Sequence, residues 1–257
     1  MNIGKTIRHV ITAAGLAWLG GMPTLSQASV VIGATRVIYA AKEPEVTLRL
    51  TNPGPAPALV QAWVDSGDTS SAPSNVHVPF IVTPPMSRID PSKAQTLRIV
   101  YTGEPLPTDR ESVFWLNVLD IPPKPSAEEA DSNKIQLAFR TRIKLFFRPI
   151  GLKGKPEEAP AQLSWQLIHK DGKLAIQTHN PTPFHVSLTE VHVHSDGQVA
   201  SFDEGDMVGP GKTRVFPLKG QAADTPGASV RHRALNDYGG PIEGETLLRP
   251  HAKNPPP

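Results

Sequence analysis

Residues 134–148 read KIQLAFRTRIKLFFR, with no glycine, proline or asparagine to interrupt them. Odd positions carry Ile135, Leu137, Phe139, Thr141, Ile143, Leu145 and Phe147. Even positions carry Gln136, Ala138, Arg140, Arg142, Lys144, Phe146 and Arg148. Side chains alternate faces along a strand, so this segment predicts one strand with an apolar face and a largely cationic one. At ~3.3 Å per residue it would reach roughly 45 Å, whereas ordinary strands run about 5–6 residues. Surplus apolar side chains on so long a strand are an aggregation hazard at a sheet edge. They make sense as a docking surface for another chain, by addition of a strand. The cationic row taken alone reads as a solvated face.

The rest of the chain is patterned the same way on a shorter scale. Apolar, β-branched runs occur at Val46–Leu50, Leu59–Val64, Thr96–Tyr101 and Val113–Leu119, separated by turn signals such as Asn52-Pro53-Gly54 and Asp65-Ser66-Gly67. A second set comprises Leu163–His169, Leu174–Thr178 and His185–His194. Lys170-Asp171-Gly172 between two of these runs signals a hairpin. The 28 prolines are spread along the whole length and argue against long helices. The class expected is all-β, with sandwich domains. Gly151 to Ala161 is polar and rich in Gly, Pro, Lys and Glu, which places a domain boundary there. The expected division is 29–150 and 151–249, with a disordered tail over 250–257.

The first 28 residues read as an export signal. Lys5 and Arg8 precede an apolar stretch from Val10 to Leu19, and Ser26-Gln27-Ala28 supplies small residues for cleavage after Ala28. Removing this leader takes away two of 26 basic residues and none of the 24 acidic ones, which leaves a charge-balanced chain. Nothing in that balance points to nucleic acid. No stretch approaches the roughly 20 apolar residues of a membrane span. Cysteine is absent, which excludes a disulfide framework, thiolate catalysis and cysteine-bound zinc.

Several motifs, taken together, resemble a known family. They are Thr35-Arg36-Val37-Ile38-Tyr39, VTPPMSRIDP over Val82–Pro91, LPTDRESVFWLNVLDIPP over Leu106–Pro123, TRIKLFFRP over Thr141–Pro149, Asn180-Pro181-Thr182-Pro183-Phe184 and Asn236-Asp237-Tyr238-Gly239-Gly240. In this order they are similar to the periplasmic chaperones of the chaperone–usher pathway, the PapD-like family, which assemble pili. The resemblance implies two immunoglobulin-like β-sandwich domains in an angled, boomerang arrangement with a cleft between them. It implies the periplasm as location, and pilus subunits and an outer-membrane usher as partners. Carried over, Arg36 and Lys144 are the basic pair that grips a pilin's C-terminal carboxylate. Ile135, Leu137 and Phe139 are the donor-strand residues that fill the groove of an incomplete subunit. Glu111, Arg148 and Asp237 are the charged set that ties the domains together. Strict alternation puts Lys144 on the opposite face from Ile135, Leu137 and Phe139, and a twist or bulge would reconcile the two roles. The second domain lacks the cysteine pair of some members. The polar loop from Pro122 to Lys134 is short, as in the branch associated with rod-like pili.

Other classes have less behind them. No GxSxG, HExxH or cysteine nucleophile is present, and Glu128 and Glu129 sit in a polar loop, so an enzyme is not expected and no cofactor is implied. The rival is a metal-binding periplasmic sandwich. His192 and His194 share one face of a strand, with His185 and His179 upstream, and imidazoles so spaced can chelate Cu(II) or Zn. No Met or Cys ligand accompanies them, which favours a row of exposed histidines.

Overall fold

The computed structural model describes residues 30–70, 72–122 and 137–248. The leader, Ile135 and the tail from 250 lie outside the described residues. Helix among the described residues is confined to short 3-10 turns, such as Pro73–Asn75 and Pro160–Gln162. The first domain is built from β1 (Val31–Ile32), β2 (Arg36–Ala40), β3 (Val46–Thr51), β4 (Ala58–Asp65), β5 (Phe80–Thr83), β6 (Met86–Ile89), β7 (Ala94–Tyr101), β8 (Ser112–Ile121) and β9 (Phe139–Arg148). One sheet has the order β1-β3-β7-β5 and the other β2-β9-β8-β4-β6. Alternate residues of each sheet, among them Leu48, Leu50, Leu97, Ile99, Leu116 and Leu145, meet in one apolar core. At one end of it Tyr39 stacks on Phe147 with ring centroids 5.9 Å apart. The Tyr39 hydroxyl donates to the Pro44 carbonyl and accepts from the Tyr101 amide, which satisfies it inside the core.

Strand β9 follows the sequence pattern with two corrections. It begins at Phe139 rather than Ile135, and Leu137 and Ala138 lie before it. Its neighbour β8 ends at Ile121, and Pro122 has no N–H to continue the ladder. Nor is there a bulge to bring Lys144 onto the apolar face. The β8–β9 register runs unbroken from Ser112↔Phe147 to Asp120↔Phe139. The apolar row is one face throughout. Ile143, Leu145 and Phe147 fill the core, whereas Phe139 projects past the region the second sheet covers.

The second domain contains β10 (Ser164–Lys170), β11 (Lys173–His179), β12 (Val186–Ser195), β13 (Gln198–Phe202), β14 (Asp206–Val208), β15 (Thr213–Pro217), β16 (Lys219–Gly220), β17 (Ser229–Leu235) and β18 (Pro241–Leu247). Sheet β10-β11-β15 packs on sheet β16-β13-β12-β17-β18, and β14 adds to β12. A separate core forms from Leu167, Ile176, Val191, Val193, Phe216 and Val230 with their neighbours. The β10–β11 hairpin turns at Asp171 and Gly172, both at positive φ, as a two-residue primed turn requires.

Each domain uses the same device at a buried asparagine that precedes a proline. Asn52 donates to the carbonyls of Ala56 and Ile89 and accepts from the Gly54 amide. Asn180 donates to the carbonyls of Phe184 and Val208 and accepts from Thr182. Fully bonded buried amides of this kind fix irregular backbone that no ladder could hold. In the second domain that backbone faces the first.

The inner face of β17 and β18 depends on a glycine. A Cβ on Gly244 would stand 2.5 Å from Cε1 and 2.6 Å from Nε2 of the buried His232 ring. Gly244→Ala should therefore destabilise the second domain by about 1–3 kcal/mol through overpacking. Urea denaturation followed by the fluorescence of Trp165, which packs on His232, checks this; an unchanged midpoint would contradict it.

Candidate functional site: a half-covered strand ending at two buried cations

The chain changes sheets between β1 and β2. Strand β1 pairs with β3, and the Gly33 amide still donates to the Arg49 carbonyl. From Arg36 onward the chain belongs to the other sheet, where β2 runs parallel to β9. That pairing covers β9 from Lys144 to Arg148 and no further. Among the described residues nothing pairs with the same edge from Phe139 to Ile143. Beside this open edge the apolar side chains of Leu137 and Phe139 are 59% and 61% exposed.

Arg36 and Lys144 are register partners across β2 and β9, so their side chains leave the same face next to each other. Both point to where the domains meet. Arg36 Nη1 donates to the Leu235 carbonyl at 3.3 Å, and Lys144 Nζ donates to Ser187 Oγ at 3.1 Å. Arg36 is buried, and its Nε lacks a hydrogen-bond partner. Burial pulls its guanidinium below the ordinary range, with Asp237 opposing. Burial, and after it the neighbouring Arg36, pull the Lys144 ammonium down to about 8, with Asp206 opposing. Two like charges are thus held together in a poorly solvated place, with hydrogen-bonding capacity left over. Such a pair is suited to an anion.

The rest of the cationic row is not the solvated face its composition suggests. Arg142 places Nη2 2.7 Å from Asp65 Oδ1, and Arg140 reaches the same buried carboxylate at 3.5 Å. The Nε groups of both donate to Asn117 Oδ1. Arg140 lies over Trp63 and Arg142 over Trp115, at 4.7 and 4.9 Å from the ring centroids. Lys144 continues the row, 5.8 Å from the Trp115 centroid. These partners sit on β4 and β8, and only the sheet brings them under β9. Alternation of Trp63 with Asp65, and of Trp115 with Asn117, was the signal available in the sequence.

Glu111, Arg148 and Asp237 come together at the domain junction. Arg148 Nε donates to Glu111 Oε1 at 2.7 Å, and its two Nη atoms donate to the two oxygens of Asp237 at 2.7 and 2.8 Å. Burial works against the Arg148 charge, but the bonds to Asp237 and Glu111 outweigh it and hold the group above its ordinary range. Glu111 Oε2 also accepts from the His185 amide at 2.8 Å, and the Glu111 amide donates to Pro183. The backbone fixed by Asn180 thereby becomes a partner of the first domain. Beside this network Phe146, on the polar face of β9, is buried against the His185 ring.

The four histidines are not gathered into one cluster, although the His192 and His194 rings lie 6.5 Å apart. His185 faces Glu111, and His179 lies 3.2 Å from Thr213 Oγ1 on another sheet. His192 is paired with Asp203 at 2.9 Å. Among the described residues no group of three or more His, Cys, Asp or Glu could hold an ion. None of their helices is long and apolar enough to cross a membrane.

Two immunoglobulin-like sandwiches joined through a charged junction define the class of protein by its fold, and comparison with known proteins supplies the family. Residues 29–153 match "Pili and flagellar-assembly chaperone, PapD N-terminal domain", and residues 158–246 match "Pili assembly chaperone PapD, C-terminal domain". The chain belongs to this family of pilus-assembly chaperones. It is 46% identical over 225 residues to the probable fimbrial chaperone YadV of Escherichia coli, covering 87% of this chain and 91% of that protein. It is 44% identical over 234 residues to the chaperone protein FimB/FhaD of Bordetella pertussis, covering 90% and 92%. Among solved structures it is similar to the SafB chaperone in complex with the SafA pilin of Salmonella enterica. That match has a TM-score of 0.71 and 32% identity, and covers 86% of this chain and 97% of that one.

Arg148 stands between two carboxylates, and losing it leaves them facing each other with Glu111 buried. Breaking a buried pair in this way costs on the order of 3–5 kcal/mol. Arg148→Ala should loosen the junction more than Asp237→Ala, while each domain keeps its own core. Small-angle scattering should give a broader distance distribution for the arginine variant; indistinguishable profiles would refute a shared network.

Proposed function

We propose that this chaperone captures pilus subunits in the periplasm by lending them the open half of β9, and delivers them to an outer-membrane usher. The observation that carries the reading is the position of the cation pair. It sits where β2 stops covering β9, so a strand added to the free edge runs end to end with β2. If that strand lies parallel to β9, its C-terminus arrives at Arg36 and Lys144. Its carboxylate neutralises the two charges and satisfies donors left over in their burial. An antiparallel strand would bring an N-terminal ammonium there instead, against two like charges. The anchor therefore selects direction and register as well as affinity.

The apolar row completes the mechanism. Leu137 and Phe139 project on the side opposite the cations and insert into a subunit that lacks a strand of its own, and the sequence pattern adds Ile135 as a third donor residue. Each large side chain buried this way contributes about 1.5–3 kcal/mol. The charged junction of Glu111, Arg148 and Asp237 holds the cleft in shape, with the domains divided near Gly151. The leader-like first 28 residues support export, and the family resemblance supports the usher as recipient. The protein acts by binding, not as an enzyme, and neither nucleic acid nor membrane insertion enters the mechanism.

Leu137→Glu should leave the fold intact, because the side chain is already more than half exposed, yet lower subunit affinity by about a hundredfold or more. Co-purification of co-expressed subunits reads this out; normal complexes would exclude donation by this face. Arg36→Ala and amidation of the subunit's C-terminus should each prevent stable complexes, and combining them should add little.

The pair also predicts a pH dependence. A bound carboxylate favours charged Lys144, whose value in the free protein is about 8. Above that pH binding must take up a proton, so affinity should be flat below pH 7 and fall by up to about tenfold per unit as pH rises past 8. Lys144→Arg, which stays charged, should abolish the slope. In the free protein the sign is opposite. The folded value lies below the ordinary lysine value of 10.5, so this group's contribution to stability rises with pH between about 8 and 10.5.

A further inference from the structure

Tyr238 is 95% exposed, yet it sits on one of the most firmly held turns in the molecule. Asn236 Oδ1 accepts from the amides of Tyr238 and Gly240 at 2.9 and 2.8 Å. The Asn236 amide donates to the Gly240 carbonyl, and the Gly239 amide to the Asn236 carbonyl. Asp237 is gripped through both carboxylate oxygens by Arg148. Gly239, at φ +84°, lies so close to Thr35 that a Cβ there would collide with its hydroxyl. The turn is thus locked by its own bonds, by the first domain's arginine and by the segment that leads into β2. A large aromatic kept in water on such a rigid support forgoes burial it could have had.

The tyrosine stands over a specific place. Together with Asp237 it closes one side of a concavity of about 460 Å³, whose other side is Gly33 to Arg36 and Ile38. Those residues are the point where the chain leaves β1 for β2 and uncovers the edge of β9. The last residue of an added strand would lie there, beside the buried Arg36 Nε that has no partner.

We infer that this concavity is a subsite for the side chain of the subunit's last residue, with Tyr238 as its aromatic wall, so that the chaperone prefers a large apolar or aromatic terminus. The inference rests on the carboxylate-anchor reading and adds a selectivity to it. The wall acts only after a strand has docked, when covering Tyr238 removes its face from water. Edge-to-face or offset packing of a second ring on it supplies the preference.

The test uses the mature full-length protein and fluorescein-labelled host peptides of alternating threonine and valine. These end in phenylalanine, alanine or phenylalanine amide, and fluorescence anisotropy gives their affinities. On the wild type the phenylalanine acid should bind about three- to tenfold tighter than the alanine acid. Tyr238→Ala should reduce that ratio to near one, and Tyr238→Phe should retain it. Both variants should melt like the wild type, since the side chain supports nothing in the fold. A ratio unchanged by Tyr238→Ala, with the amide still weak, overturns the subsite and leaves the anchor standing. An amide that binds as well as the acid, or no binding of the acid peptide at all, overturns the anchor and the subsite with it.

Discussion

Strand β9 has two neighbours of unequal reach. Strand β8 holds one edge from Phe139 to Phe147, whereas β2 holds the other only from Lys144 onward. The difference arises because the chain stays with the opposite sheet through Gly33, and its lead-in to β2 crosses over before Arg36. From that one crossing follow the open ladder, the uncovered apolar row beside it and the placement of two cations at its end. An edge of this kind invites indiscriminate pairing. Here the flanking Arg140 and Arg142 are pinned to Asp65, which keeps charge at the edge without leaving it loose.

The energetics of the cations differ along the same row. Arg140 and Arg142 share a buried carboxylate, an asparagine and two indole faces, so their charges are answered inside the domain. Arg148 is answered across the junction by two acids. Arg36 and Lys144 receive a backbone carbonyl, a hydroxyl and, for Lys144, a distant indole face, with the acidic groups acting at a distance. A strand with one repeating pattern therefore presents three electrostatic situations, decided by what the neighbouring strands and the second domain place opposite each position.

Much of this was legible in the sequence because it is local. Strict alternation from Ile143 to Phe147 identified the core face, Asp171-Gly172 identified a hairpin, and the resemblance named the residues now found at the junction. What could not be read was non-local. Without the resemblance, nothing along the chain says that Arg36 pairs with Lys144 more than 100 positions away. Nor does it say that Asp65 lies beneath two arginines. The opposition between the apolar row and Lys144 looked like a problem that needed a bulge. In three dimensions the two faces stay opposed, which suits the proposed docking of a strand with its side chains toward one face and its terminus at the cations. The histidines, read as an exposed row rather than a metal site, divide between two sheets, with His179 on one and His192 and His194 on the other.

The contact between Gly239 and Thr35 joins the tip of a second-domain hairpin to the segment that introduces Arg36. The same hairpin strand supplies the Leu235 carbonyl to Arg36, and the same turn supplies Asp237 to Arg148. The junction and the proposed anchor are therefore built on one hairpin, and on that reading their free energies are reciprocal. Whatever narrows the swing of one domain against the other sharpens the hold on a cargo terminus, and a cargo held there must in turn quieten the swing. On the proposed anchor, a loaded chaperone would be a stiffer body than an empty one, and its shape would report whether its cleft is full.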